Sequence, residues 1–398
     1  MAPPLPRFEL PLLLSSGMCM ALIFVAISPV LPGMAAHFGG AGGGAFLAQM
    51  AMTLPGIGLI IGGLLTGWLV ERRGPRGVLA FGLAMYAATG AAGLVADNAT
   101  ALLASRWLLG FAAAGLATST TAVIGSRFDG VQRERLLGYQ NACASIMGVV
   151  AILAAGTLGE GGGWRAPFAL YPLLALPLLA LLALPRTAGG FAPQAARAAR
   201  AAPESGGASL PPMVWALLLL TVLLFAAAFM TGAQASFLLA ENGISTPSVL
   251  AIILGCASLG NAVGSVIYGQ VSPALSRAHC MALALLLLGA GLAALGSIRT
   301  PLLAALSCAL AGLGSGLLSP WVASTLIECT PAPVRARAFG LLYAAIFIGD
   351  FLNPVLLTPI ARTIGLHATF IVVGALLLGA AATTLLLRPG RSRRAATP

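Results

Sequence analysis

Charge is what this sequence has least of. Only 8% of its 398 residues are charged and 59% are hydrophobic, against roughly 25% charged residues in an ordinary soluble domain. A water-facing surface cannot be covered with so few charges, which excludes a soluble globule. Lysine is missing: all 21 basic residues are arginine. No Walker loop, Gly-x-x-x-x-Gly-Lys-Ser/Thr, is therefore possible, and ATP-driven work by this chain alone is excluded. The six cysteines (Cys19, Cys143, Cys256, Cys280, Cys308, Cys329) show no paired spacing of the disulfide or zinc kind, so free thiols, no metal and no cofactor are expected. The three histidines (His37, His279, His367) fall at the ends of apolar runs.

What is abundant is long apolar sequence. Runs recur from Leu10 to Leu387, most of them reaching the roughly 20 residues that cross a bilayer. Turn and charge punctuation divides them into twelve helices, at about 10–36, 46–70, 78–96, 100–126, 136–159, 166–184, 213–240, 247–271, 279–297, 301–327, 337–360 and 366–388. The fold expected is an all-α membrane protein. The first run continues to about Ala36, too long for a secretory h-region, and reads as a retained helix. The 50 glycines, nearly twice the usual share, lie inside these runs, where small residues let membrane helices approach closely. The segment 186–212 is rich in Ala, Pro, Gly and Arg (Arg186, Arg197, Arg200, Pro203, Pro211) and reads as a solvated linker. It separates a bundle over 1–185 from one over 213–398.

With the N-terminus in the cytoplasm, outer segments hold only Arg165, Arg299 and Arg362, Arg106 lies within a helix, and every other arginine is inside. Under the positive-inside rule both termini are cytoplasmic and the chain sits in the cytoplasmic (inner) membrane. The net charge of +11 is spread singly over short loops without interleaved aromatics, which argues against nucleic acid.

The halves resemble each other. An offset of 202 residues aligns Gly67 with Gly269, Gly110 with Gly312, Gly163 with Gly365, Ala166 with Ala368 and Phe168 with Phe370. This favours a parallel duplication, two six-helix bundles related by an axis along the membrane normal.

The loop after the second helix reads Gly67-Trp68-Leu69-Val70-Glu71-Arg72-Arg73-Gly74-Pro75-Arg76-Gly77. It resembles the signature loop of the major facilitator superfamily, Gly-x-Leu-Ala-Asp-Arg-x-Gly-Arg-Arg, with Glu71 where Asp is usual and Pro75 where a basic residue is usual. The resemblance implies that Gly67, Glu71, Arg72, Gly74 and Arg76 latch the two bundles on the cytoplasmic side when the cavity faces outward; a turn that only sets topology is the alternative. Gly74 permits a tight turn. Arg106-Trp107-Leu108-Leu109-Gly110 is similar to the family's second signature, an Arg followed four residues later by Gly. A buried guanidinium usually faces a cavity or counter-charge and marks a proton path, whereas an Arg near a helix end can snorkel. Gly148, Gly156 and Gly159 are similar to the glycine-rich fifth helix of the family's proton-driven exporters, without its Gly-Pro step, and also suit ordinary packing.

Asp350, in Ile348-Gly349-Asp350-Phe351-Leu352-Asn353-Pro354, is the one acid near mid-membrane. A carboxyl there is costly as an anion and can hold a proton. Pro354 lacks an N–H and clashes with the carbonyl of Asp350, so a kink is expected. Asp350 and Arg106 are the expected proton-coupling residues, with Asp350 alternatively a local stabiliser of the kink. Gln49, Asn141, Gln234, Asn261 and Asn353, with Trp321 and Tyr343 as ring contacts, are the expected substrate contacts, though interhelical hydrogen bonding suits each amide equally. Gln140 belongs to the same set of deep polar residues. An otherwise apolar wall suits a lipophilic or weakly polar small molecule.

Gly312-Leu313-Gly314-Ser315-Gly316 contains the Gly-x-Ser-Gly string of intramembrane serine proteases. All three histidines lie at helix ends, away from Ser315, so the nucleophile lacks a base and no enzyme is expected. The chain looks most like the twelve-helix drug/proton antiporters, which implies a monomer whose partners are the substrate, protons and the bilayer. The family's usual acid in helix one is absent here. An uptake permease for a small metabolite is the runner-up, and a transporter-fold receptor the third reading.

Overall fold

The computed structural model describes residues 9–39, 43–128, 130–183, 210–331 and 334–386. Arg7, nearly all of the expected linker, including Arg186, Arg197 and Arg200, and Arg388, Arg391, Arg393 and Arg394 lie outside them.

Among the described residues there are twelve crossings. They are α1 (Leu10–His37), α2 (44–73), α3 (75–91), α4 (Ala99–Arg127), α5 (Gly130–Gly162), α6 (Ala166–Ala183), α7 (212–241), α8 (Pro247–Val271), α9 (Arg277–Ser297), α10 (Pro301–Cys329), α11 (Arg335–Ile364) and α12 (Leu366–Leu386). No loop separates α2 from α3. The chain is helical from Gly44 to Ala91 except at Gly74, whose φ of 78° only glycine adopts without strain and which reverses the direction of the rod.

Two crossings are broken. Pro29 and Pro32 remove backbone donors from α1, which passes through a 3-10 turn at Ser28–Val30. The equivalent stretch of α7 ends its first segment at Ala228, makes a short helical turn at Met230–Ala233 and resumes at Ala235. Asn98 caps α4 by accepting from the N–H of Ala101 at 2.7 Å, and Ser276 caps α9.

The internal duplication is visible in the packing. A methyl group placed on Gly58 would strike the backbone of Trp107 and Phe111, and one on Gly260 that of Ala309 and Leu313. Gly110 lies against the Pro55 carbonyl and Gly312 against that of Ala257. Every partner is displaced by the same 202 residues, so α2–α4 and α8–α10 dock in one register. Gly163 and Gly365 end α5 and α11 with φ of 71° and 86°. The N-terminal bundle closes over a core including Leu22, Leu83, Leu109 and Phe168, and the C-terminal bundle over one including Leu250, Leu285, Leu292 and Phe370.

Candidate functional site

The bundles enclose a cavity of about 470 Å³ lined by α1, α2 and α5 on one side and by α7, α8, α10 and α11 on the other. Among the described residues no acid or arginine lines it. Its floor, toward the side poor in arginine, is aromatic. Phe24 of α1 stacks on Phe347 of α11 with centroids 5.6 Å apart and planes at 7°, and lies 6.5 Å from Phe229 of α7. None of the three stands out in sequence, because each sits in a run that is apolar on every side.

Beyond that floor the bundles touch. Ser28 Oγ donates to the Gly232 carbonyl at 2.8 Å, joining the breaks of α1 and α7. Thr358 Oγ1 donates to Gln49 Oε1 at 2.7 Å, joining α11 to α2. Gly156 of α5 receives Ala251 and the Pro247 carbonyl of α8. We call this the far-side closure. A second cavity of about 550 Å³, lined by Gln49, Gln234, Glu241, Thr358 and Arg362, lies past it.

Asp350 sits inside the closure. It is 1% exposed and lines neither cavity. A Cβ on Gly56 would lie 3.8 Å from its Oδ2, so the carboxyl faces a point on α2 that carries no side chain. Among the described residues neither carboxylate oxygen has a hydrogen-bond partner. An anion so placed has lost water without gaining a donor or a counter-charge, which is far more costly than burying the neutral acid. Asn353, three residues on, donates to the Ala226 carbonyl at 2.6 Å and accepts from Gln234 Nε2 at 3.2 Å, tying α11, which runs as one continuous helix past Pro354, to α7.

Of the residues expected to contact substrate, the structure brings Asn261 and Tyr343 to the central cavity. Gln49 and Gln234 line the far cavity instead, and Asn353 is fully buried. Asn141 is exposed and lines neither cavity. Its neighbour Gln140 is buried and donates to the Leu13 carbonyl and Ser16 Oγ, so it holds α5 to α1. Trp321 departs from the expected ring contact: it packs in the core of the C-terminal bundle, and its indole N–H donates to the Arg277 carbonyl at 2.9 Å.

Arg106 departs too. It reaches neither cavity and, at 1% exposure, does not snorkel. It lies within the N-terminal bundle over the rings of Phe168 and Tyr171, at 4.7 and 4.9 Å, and donates to the carbonyls of Thr89 and Gly90 at 3.3 Å. Aromatic faces and backbone oxygens take the place of the expected counter-charge. In the signature loop Glu71, Arg72 and Arg73 are exposed, Arg72 lies 4.0 Å over Trp68, and Arg76 donates to the Leu182 carbonyl of α6 at 2.9 Å. These contacts stay within the N-terminal bundle, and Gly67 has open space around it.

Comparison with known proteins agrees with this architecture. The model of the Major Facilitator Superfamily matches residues 13–245 and again 217–398. The multidrug efflux pump Tap of Mycolicibacterium fortuitum is 28% identical over 141 residues, which span 35% of this chain and 34% of the pump. Among solved structures, a mutant form of the peptide transporter POT superposes with a TM-score of 0.76 at 15% identity, covering 95% of this chain and 93% of that one. The xylose transporter XylE from E. coli gives 0.71 at 16% identity over 97% and 96%. Twelve crossings in two pseudo-symmetric bundles around a shared cavity, with the family model spanning both halves, lead to one conclusion: this chain belongs to the Major Facilitator Superfamily.

Proposed function

We propose that this secondary transporter exports a small lipophilic or weakly polar molecule across the cytoplasmic membrane in exchange for protons, with Asp350 as the coupling carboxyl. The observation that carries the reading is the position of Asp350, without a hydrogen-bond partner among the described residues, in the contact between α2 and α11 that must part for the far side to open. With the arginine-rich side in the cytoplasm, a carboxyl exposed to the outside takes up a proton, and only the neutral acid is buried cheaply as the closure forms. Substrate arriving from the cytoplasm packs on the Phe24–Phe347 floor, directly before Asp350. Loosening that floor admits water to the carboxyl, releases the proton inward and favours the outward-facing state. The apolar central cavity and the partial similarity to an efflux pump support export.

Liposomes holding a pH dye test the reading, with cationic, neutral and anionic lipophilic compounds offered to wild type and Asp350→Asn. Proton movement opposite to substrate, abolished by the substitution, is expected. Substrate flux without proton movement in either protein overturns antiport and favours an uptake permease.

A further inference from the structure

The protease-like string in α10 finds a use that has nothing to do with hydrolysis. Its glycines point two ways: Gly312 and Gly316 receive the Ala257 and Asn261 carbonyls of α8, and Gly314 receives the backbone of Leu288 in α9. Main chain lies against main chain, so α8 and α10 approach more closely than side chains would permit. Ser315, on the remaining face, is thereby held at the central cavity, where Asn261 Nδ2 donates to its Oγ at 3.0 Å and Ser315 itself donates to the Gly312 carbonyl at 2.9 Å. Ser258, one turn before Asn261, and Ser319, one turn after Ser315, line the same cavity.

The result is a two-sided site: an aromatic floor of Phe24, Phe229 and Phe347, and a wall of small hydroxyl and amide groups with no charge among the described lining residues. Ring faces favour flat apolar bodies. A wall with one amide and three hydroxyls donates and accepts hydrogen bonds but cannot neutralise an ion taken from water, which disfavours a fixed charge. We propose that the α8–α10 wall selects substrates that are uncharged, planar and apolar, with a hydrogen-bonding group such as a carboxamide on one edge, and that Asn261, Ser315 and Ser258 read that edge. The inference rests on the central cavity being the substrate site of the exporter proposed above.

Calorimetry on the purified full-length chain with three probes sharing one ring system, 2-naphthamide, 2-methylnaphthalene and 2-naphthyltrimethylammonium, tests the selectivity. The amide is expected to bind at least tenfold more tightly than the cation. Asn261→Ala, Ser315→Ala and Ser258→Ala should each weaken the amide about fivefold to tenfold, the loss of one hydrogen bond, and leave the methyl compound within twofold. Three separate positions keep the test sound if one variant fails to fold. Equal binding of amide and cation, amide affinity unchanged in all folded variants, or no binding of any probe overturns the proposal. Flux of 2-naphthamide in liposomes is read separately. Selective binding without flux upholds the wall and overturns only the transport reading, whereas flux without the binding selectivity overturns the wall and leaves transport standing.

Discussion

Gln49 accepts a hydrogen bond from Thr358 at 2.7 Å, and the two residues occupy the positions that Ala251 and Gly156 fill in the symmetry-related contact. One side of the far closure is thus held by a polar bond between α2 and α11. The other is held by bare contact between α5 and α8. The two seams should respond to different substitutions.

Thr358→Val removes the donor and leaves the Gln49 oxygen without it. About 1 kcal/mol of the closure is lost, which shifts the balance between far-closed and far-open states roughly fivefold toward the open one. Spin labels on the far ends of α2 and α11 should report a larger population at long distance, while thermal stability within each bundle stays unchanged.

Gly156→Leu acts on the other seam. A Cβ there would lie 2.8 Å from the Pro247 carbonyl and closer still to the Ala251 methyl. Overpacking of this kind typically costs about 1–3 kcal/mol. The bundles should fold, since the contact lies between them, but the far side should fail to close and exchange should stop. A folded Gly156→Leu protein with full transport would contradict the closure described above.

Most of the fold was legible from sequence, because a membrane helix satisfies its own backbone and announces itself over some twenty residues. The signature loop's Gly74 and the 202-residue offset came the same way, from local spacing. The cavity did not. Phe24 and Phe347 meet across more than three hundred residues, and nothing near either marks it as a partner. Gln140 and Asn141 show the difficulty in miniature: adjacent amides in an apolar helix differ by about 100° in direction, and one is buried while the other is exposed. With no polar face to set a phase, sequence cannot say which amide turns where. For Arg106 the sequence offered a cavity or counter-charge on one side and snorkelling on the other, and pointed to neither ring, because its aromatic cage comes from α6, a helix with no charged residue to mark it as a partner.

Asp350→Leu separates stability from activity. The carboxyl makes no hydrogen bond among the described residues, and replacing an unpartnered buried acid with an apolar group of similar size is often neutral or stabilising. The thermal midpoint should hold or rise, while proton-linked transport is lost. A marked fall in the midpoint would make Asp350 a structural residue of α11.

Arg106→Met tests the caged guanidinium. It keeps most of the volume beneath Phe168 and Tyr171 and removes a charge whose Nε and Nη1 have no partner among the described residues, so stability should change by less than about 1 kcal/mol. Arg106→Ala, which leaves a void, should lose about 2–4 kcal/mol. Unchanged proton-to-substrate stoichiometry in the Met variant is expected of a packing residue; loss of coupling with full stability would place Arg106 in the transport cycle.

The glycine contacts repeated at Gly58, Gly110, Gly260 and Gly312 divide labour within each helix. Where backbone meets backbone, the fit depends on having no side chain at all, and almost any substitution there meets a wall. Gly312 and Ala257 belong to that fit and also line the cavity, but the side chains of Ser258, Ser315 and Ser319 face it and take no part in the fit. Mutation can therefore rewrite what the transporter recognises, one cavity residue at a time, while the two bundles keep their shape, so a change of cargo need not wait for a change of architecture.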